Sequence, residues 1–293
     1  MKFKFWGVRG SIPTPGPQTV KYGGNTTCIE IRTDRNELII LDAGTGIHAL
    51  AQTLLKDMPI TAHIFITHTH WDHIHGLPFF IPIFFKNNSI SIYGGLDPVT
   101  DENINRALST QLQYSYFPIH EAQLKARIDY LTVRPGEMVN VGSAKITPII
   151  LNHPVLNFGY RVDCDGSSLF FTGDFESPVN IYLPEDDYYG SYRNFLNEKH
   201  QEILQAMRDV DALIVDSSYT DEEYATRLGW GHGTYRSGIK LATEANAKRL
   251  FLTHHEPARS DADLDLIYQD LLEQHPQFAN KLFMACEGLE VSL

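Results

Sequence analysis

The sequence predicts an α/β fold of four layers, with two β-sheets face to face and helices on both outer sides. Three observations lead there. Strand-like and helix-like segments alternate in both halves of the 293-residue chain, which is the pattern of a layered α/β architecture. Apolar residues make up 43 % and charged residues 20 %, so the chain can bury a full core without disulfides. No internal repeat of about 20–50 residues, low-complexity tract or linker interrupts it. Residues 1–293 are therefore expected to form one domain, long but acceptable for a layered enzyme.

The elements follow in order. Residues 3–8, 27–33, 37–42 and 62–67 are rich in β-branched and aromatic side chains and read as strands. A Gly-rich turn leads into a helix over 44–56, a strand follows at 89–94, and 100–110 has helical character. Short strands are expected near 128–132, 138–141, 144–151, 158–164 and 168–173, punctuated by Arg-Pro-Gly and Asp-Gly turns. Helix returns at 192–209. Strand 212–216, helix 233–247, strand 249–253 and helix 261–274 then alternate, before short strands near 281–285 and 288–292. The segment 178–195, PVNIYLPEDDYYGSYRNF, is aromatic, acidic and irregular. It reads as a surface loop or, alternatively, as a substrate lid or dimer contact.

The three cysteines, Cys28, Cys164 and Cys286, form no CxxC pair. An odd, sparse set argues for a reducing compartment. The opening MKFKFWGVRG carries no signal-peptide pattern. The longest apolar run, 76–85, contains two prolines and is too short to span a bilayer. A soluble cytoplasmic protein with no membrane partner is expected. Net charge is −12 and the pI is near 5.5, which disfavours a large nucleic acid as partner. A small anionic substrate is still allowed, because a local metal charge can outweigh the global field.

The chemistry is concentrated in ITHTHWDHIHGLP, which places His68, His70, Asp72, His73 and His75 within eight residues. The strand 62–67 ends just before His68. In extended chain, i and i+2 share a face, so His68 and His70 can address one ion. After a turn, Asp72 and His73 can address a second, with Trp71 and Ile74 expected to pack inward. Later strand ends supply more ligand types: His153 in LNHP, Asp174 in LFFTGD and His254 in RLFLTH. Each is an apolar strand followed by a group that can bind metal. Asp42, in LILDAGTG, ends another such strand and is expected to orient a metal histidine.

HTHWDH, followed in order by His153, Asp174 and His254, resembles the metallo-β-lactamase superfamily, and the likeness covers most of the chain. The resemblance implies the αββα sandwich of that family. It implies His68, His70 and His153 on one divalent ion, Asp72, His73 and His254 on the other, and Asp174 bridging both. It further implies a hydroxide between the ions as nucleophile, and a homodimer. Zinc is expected, with manganese or iron also suited to a His/Asp set. His75 lies one position too far along the loop and is expected outside the ligand set. His254 and His255 are adjacent and face opposite ways on a strand; His254 matches the family position.

The segment GWGHGTYRSG holds His232 in a G-H-G-T turn. It resembles the G-H-S-T segment of ribonuclease Z and related phosphodiesterases, with Gly233 in place of Ser. The resemblance implies that His232 gives a proton or hydrogen bond to the scissile phosphate, so Asp72 and His232 are the expected catalytic residues. FWGVRGSIPTPG and YGGNTTC are similar to a phosphodiesterase-like branch, with Arg9 and Asn25 as candidate phosphate donors. The Gly/Pro-rich arm by which ribonuclease Z holds tRNA is not evident, and no basic run appears. The expected activity is metal-dependent hydrolysis of a small phosphodiester such as a cyclic nucleotide. The alternatives are a lactonase or other ester hydrolase with the same metals, a tRNA 3′-processing endonuclease-like enzyme, and a non-catalytic metal-binding module.

Overall fold

The computed structural model describes residues 1–293. The strands are β1 (Lys2–Gly7), β2 (Cys28–Arg32), β3 (Leu38–Leu41), β4 (Thr61–Phe65), β5 (Ser89–Gly94), β6 (Arg127–Thr132), β7 (Val139–Val141), β8 (Ala144–Leu151), β9 (Asn157–Cys164), β10 (Ser167–Phe171), β11 (Ala212–Asp216), β12 (Leu250–Thr253), β13 (Leu282–Met284) and β14 (Glu290–Ser292). They form two seven-stranded sheets, in the orders β14-β1-β2-β3-β4-β5-β6 and β13-β12-β11-β10-β9-β8-β7. Each half of the chain builds one sheet, except that β14 returns to pair antiparallel with β1, Phe3 opposite Val291.

The alternation along the strands explains why both sheets are covered on both faces. In β3 (LIIL) all four side chains are buried. Ile39 and Leu41 join the core between the sheets, while Leu38 and Ile40 face the helices outside. The same split occurs in β12: Phe251 points between the sheets, and Leu250 and Leu252 point outward. A period of two thus divides one apolar run between two cores.

The helices are α1 (Gly46–Leu54), α2 (Trp71–Ile74), α3 (Asn105–Gln111), α4 (Tyr189–Met207), α5 (Asp221–Tyr224), α6 (Tyr235–Glu244) and α7 (Asp261–Gln274). α1 buries Ile47, Leu50, Ala51 and Leu54, an i, i+3, i+4, i+7 stripe. It covers the first sheet together with Leu108 of α3. The second sheet is covered by Ile203 and Met207 of α4, Ile239 and Leu241 of α6, and Leu264 and Leu271 of α7. The result is the four-layer αββα sandwich. The short helices α2 and α5 were not expected; both are single turns inside segments that read as loops. The segment 178–195 divides: its second part is the start of α4, and the first part is irregular, with Val179, Ile181 and Leu183 exposed. No helix is long and apolar enough to cross a membrane.

Within each sheet four successive strands, out to one edge, run parallel, β3 to β6 in the first and β10 to β13 in the second. The carboxyl ends of β3, β4, β8, β10, β11 and β12 open onto one edge of the sandwich. Side chains just beyond strand ends converge there, as is usual for sites on open α/β sheets.

Candidate metal centre

Two cradles share one carboxylate. His68, His70, His153 and Asp174 bring one ligand atom each within 4.8 Å of one another, and so do Asp72, His73, Asp174 and His254. Asp174 spans the two. Its Oδ2 lies 3.4 Å from His68 Nε2 and 3.8 Å from His153 Nε2. Its Oδ1 lies 3.1 Å from both His73 Nε2 and His254 Nε2. The chemistry of this donor set fits cations. His68 Nε2, His73 Nε2 and Asp174 Oδ1 are buried without a hydrogen-bond partner, although they lie close together. Buried polar atoms are rarely left unpaired, and a cation on each side of Asp174 would satisfy them.

The far side of four of the five rings is held, whereas His70 Nδ1 lies 3.1 Å from His153 Nε2. His73 Nδ1 is 2.7 Å from Asp42 Oδ2, His68 Nδ1 is 3.0 Å from Thr67 Oγ1, His153 Nδ1 is 2.9 Å from the Gly231 carbonyl, and His254 Nδ1 is 3.0 Å from Ser218 Oγ. Such partners fix the ring orientation and leave Nε2 for metal. Asp42 itself is anchored by the Thr67 amide at 2.8 Å. Asp42 and His254 both have φ of 60°, uncommon for residues other than glycine. The left-handed turn ends each strand abruptly and aims the side chain into the site. Gly10 packs against His254 so closely that a Cβ there would sit 2.3 Å from its Cε1.

Protonation follows from burial and charge. Burial pushes His68 down to about 3, so it is neutral, as a ligand must be. Burial also opposes a charge on His73, but Asp174, Asp72 and Asp42 outweigh it and hold that ring protonated well above its usual range. A cation taken up there displaces the proton.

His232 stands at the edge of the same cluster. Its Nδ1 donates to Asp216 Oδ2 at 2.8 Å, and its ring stacks on His254 at 4.7 Å between centroids. Burial lowers its basicity, but Asp216 and Asp174 prevail and raise it to about 9. The ring lines an open cleft of about 440 Å³ with Ser11, Thr69, His70, Trp71, Asp72 and Asp174.

Three positioning residues were not singled out in the sequence. Asp216 is fully buried and accepts from His232, from the Phe175 amide at 3.1 Å and from Ser218 Oγ at 2.9 Å. It ends ALIVD, the same strand-then-carboxylate pattern as Asp174, and that pattern is the signal that finds it. Ser218 links Asp216 to His254. Glu176 is buried. Its Oε1 accepts from the Gly229 amide at 2.8 Å and Tyr224 Oη at 2.7 Å, and its Oε2 from the Gly231 amide at 2.7 Å. One carboxylate thus clamps the loop that carries His232 and supplies the carbonyl for His153.

The expectations for Arg9, Asn25 and Trp71 are corrected, while His75 and His255 lie outside both cradles as expected. Arg9 does not face the site. It is fully buried and its guanidinium donates to the Gly23, Glu256 and Arg259 carbonyls. Asn25 is bound to Glu287 and Thr45. Trp71 is not packed inward but is 78 % exposed, because the helical turn of α2 points Asp72, His73 and Ile74 in and Trp71 out. His75 is exposed beside Trp71. His255 is buried, with Nε2 on the Ala285 carbonyl at 2.8 Å, and has no place in either cradle.

A family model described as "Beta-lactamase superfamily domain" matches residues 37–255. Among curated relatives, the ribonuclease Z of Acaryochloris marina is 26 % identical over 295 residues, covering 88 % of this chain and 86 % of that one. Among solved structures, the metallo-β-lactamase fold protein YhfI from Bacillus subtilis superposes with a TM-score of 0.65 at 17 % identity, over 99 % of this chain and 98 % of its own. A diphosphatase from the PhnP family gives a TM-score of 0.65 at 17 % identity, over 100 % of this chain and 97 % of its own.

Proposed function

The chain belongs to the metallo-β-lactamase superfamily of metal-dependent hydrolases, and from that premise we propose that it is a phosphodiesterase acting on a small phosphodiester, with two divalent cations, zinc by preference, in the cradles around Asp174. The observation that carries the reading is His232, held by Asp216 at 2.8 Å and lining one cleft with Asp72 and Asp174. An imidazole N–H donor beside two occupied cation cradles would make a positive trough. A phosphodiester brings one negative charge and gains a second on the way to its transition state, so it draws full benefit from such a trough. A neutral lactone or lactam gains only one.

Under this reading His68, His70, His153 and Asp174 hold one cation, and Asp72, His73, His254 and Asp174 the other. Cations held by these residues would supply Lewis-acid polarisation of a phosphoryl oxygen and would lower the pKa of a bound water. The side chains do the rest. Asp174 sets the separation of the two cradles. Asp42, Gly231 and Ser218 keep three of the rings in the tautomer that offers Nε2. Asp216 accepts from His232 Nδ1–H and so favours the imidazolium, whose second proton, on Nε2, is the one available to the leaving alkoxide.

A second reading, tRNA 3′-end processing, is favoured by the name of the Acaryochloris marina relative and opposed by the net charge of −12. The test is one panel of assays on purified protein with its metal counted: bis-p-nitrophenyl phosphate, a cyclic nucleotide, a precursor tRNA, an acyl-homoserine lactone and a β-lactam. About two metal ions per chain with turnover of the small phosphodiesters is expected. Turnover of the lactone or lactam alone overturns the proposal, and cleavage of the precursor tRNA alone replaces it with the second reading.

A further inference from the structure

A second cleft, of about 330 Å³, adjoins the metal centre and shares His68, Thr69 and Trp71 with its surroundings. Thr69 and Trp71 also line the cleft that His232 faces, so the two spaces meet over the same two side chains. Resting on the phosphodiesterase reading above, we propose that this second cleft receives a nucleoside, the uncharged heteroaromatic part of a mononucleotide phosphodiester, with its base stacked on Trp71.

Four features argue for that occupant. The first is the exposure of Trp71, at 78 %. A tryptophan between two candidate metal ligands, with its ring in solvent, gains nothing from core packing. It offers a flat π-face, which binds any base. The second is size. At about 330 Å³ the cleft is near the lower end of ligand sites, which run roughly 300–1,000 Å³. It suits one nucleoside and not an oligonucleotide.

The third feature is charge. Arg106 is the one Lys or Arg on the lining, and it is paired with Glu102 at 3.4 Å. Asp97 adds another carboxylate. A second phosphate in this cleft would meet more negative charge than positive, so the group that enters is neutral. The fourth is the pattern of polar groups. Gln111 gives its Nε2 to the Ile74 carbonyl at 2.9 Å, while its Oε1 has no partner. Asp97 and Glu102 supply the acceptors on the lining, and the buried Gln111 Oε1 is one more that an entering amino group would have to uncover. Acceptors select a base with an exocyclic amino group over an acyl chain, while Ile104 and Leu156 supply apolar contact for the ring.

The experiment uses adenosine as probe, since it carries base and sugar without phosphate. Its binding to the metal-loaded protein is measured by titration calorimetry for the wild type, Trp71→Ala and Trp71→Phe. Trp71 is exposed, so neither substitution threatens the fold. Loss of one base stack weakens binding about tenfold in Trp71→Ala and much less in Trp71→Phe. In parallel, KM and kcat are measured on a cyclic adenosine nucleotide and on a glycerophosphodiester. The alanine variant is expected to raise KM about tenfold more for the nucleotide than for the alkyl diester. Equal adenosine affinity in wild type and Trp71→Ala overturns the proposal. So does absence of adenosine binding in a protein that hydrolyses phosphodiesters, and in that case the phosphodiesterase reading stands alone. Adenosine binding that depends on Trp71, in a protein that hydrolyses no phosphodiester, keeps the nucleoside cleft and removes the phosphodiesterase reading.

Discussion

Replacing Glu176 with glutamine probes whether one carboxylate aligns both the metal cradle and the proton donor. The side chains are isosteric, so packing is kept. Glutamine retains a single acceptor oxygen, and that oxygen turns to the side where two donors meet, the Gly229 amide at 2.8 Å and Tyr224 Oη at 2.7 Å. Its NH2 then faces the Gly231 amide, which in the wild type donates to Oε2 at 2.7 Å. One hydrogen bond to a charged group is lost and one buried N–H is left without an acceptor, at a cost of about 1–3 kcal/mol. Gly231 moves to relieve this. Its carbonyl holds His153 Nδ1 at 2.9 Å, and His232 is the next residue. If the whole cost falls on alignment in the transition state, the rate drops by roughly 5- to 150-fold. The drop should depend on the leaving group. An alkyl phosphodiester needs a proton for its departing alkoxide, whereas p-nitrophenolate leaves without one. Activity on the alkyl diester should therefore fall at least several-fold further than on bis-p-nitrophenyl phosphate, with the metal content of each preparation measured alongside. An equal fall on both substrates would refute the link to His232 and leave Glu176 as a brace for the fold. Unchanged activity on both would refute the clamp altogether.

Three further outcomes can be checked. Gly231→Ala and Gly10→Ala should damage opposite cradles. The first places a Cβ 2.3 Å from His153 Nδ1 at a backbone φ of +90°, and the second places one 2.3 Å from His254 Cε1, so each should retain about one metal ion per chain by elemental analysis. Stripping the metal with a chelator should lower the thermal midpoint on the order of 5–10 °C, since ligand at 1,000 times its Kd adds about 4 kcal/mol; an unchanged midpoint would mean that the cradles do not hold cations in the folded protein. His63, beside Tyr93 Oη at 3.2 Å, has its basicity lowered by burial from the usual 6.5. Below about pH 6.5 the unfolded chain takes up a proton that the folded one refuses, so stability falls with pH on the acid side. His63→Gln should flatten the urea midpoint between pH 7 and pH 5 relative to the wild type, and a variant as pH-sensitive as the wild type would sink the argument.

The parts of the site that can be read from sequence are those set by local pattern. His68, His70, Asp72, His73, His153, Asp174 and His254 each follow an apolar strand, and a candidate ligand beyond a strand end needs only its own neighbours to be recognised. Asp216 has the same form and went unread because nothing nearby marks it as the partner of His232, 16 residues further on. Glu176 is harder still: the two amides that define it lie 53 and 55 residues away, in a loop whose course depends on tertiary packing. Trp71 misleads for a different reason. A large apolar residue between ligands reads as core, and only the helical turn of α2 turns it outward. Arg9 reads as a phosphate donor because it is cationic and near a Gly/Pro loop. Its actual partners are three carbonyls, up to 250 residues away. The sandwich itself was legible from alternation and composition, but the closure of the first sheet, with Lys2 opposite Ser292, was not, because pairing of chain ends leaves no local mark.

The division of ligands between the sheets gives the site a structural consequence. The first half of the chain supplies His68, His70, Asp72 and His73 after β4. The second supplies His153, Asp174 and His254 after β8, β10 and β12. Neither half can complete either cradle, since each cradle draws on both. Asp174 from the second sheet faces His68 of one cradle and His73 of the other. Without counter-charge, Asp72 and Asp174 are two buried carboxylates from opposite sheets, balanced only by protons on neighbouring rings such as His73. Their mutual repulsion acts across the seam between the sheets, and each ring that loses its proton increases it. Cations seated on both sides of Asp174 turn that repulsion into attraction. Under the proposed function the metal centre would belong to the packing of the two sheets as well as to catalysis, which is why loss of metal should be felt in the thermal midpoint of the whole chain and not only in its activity.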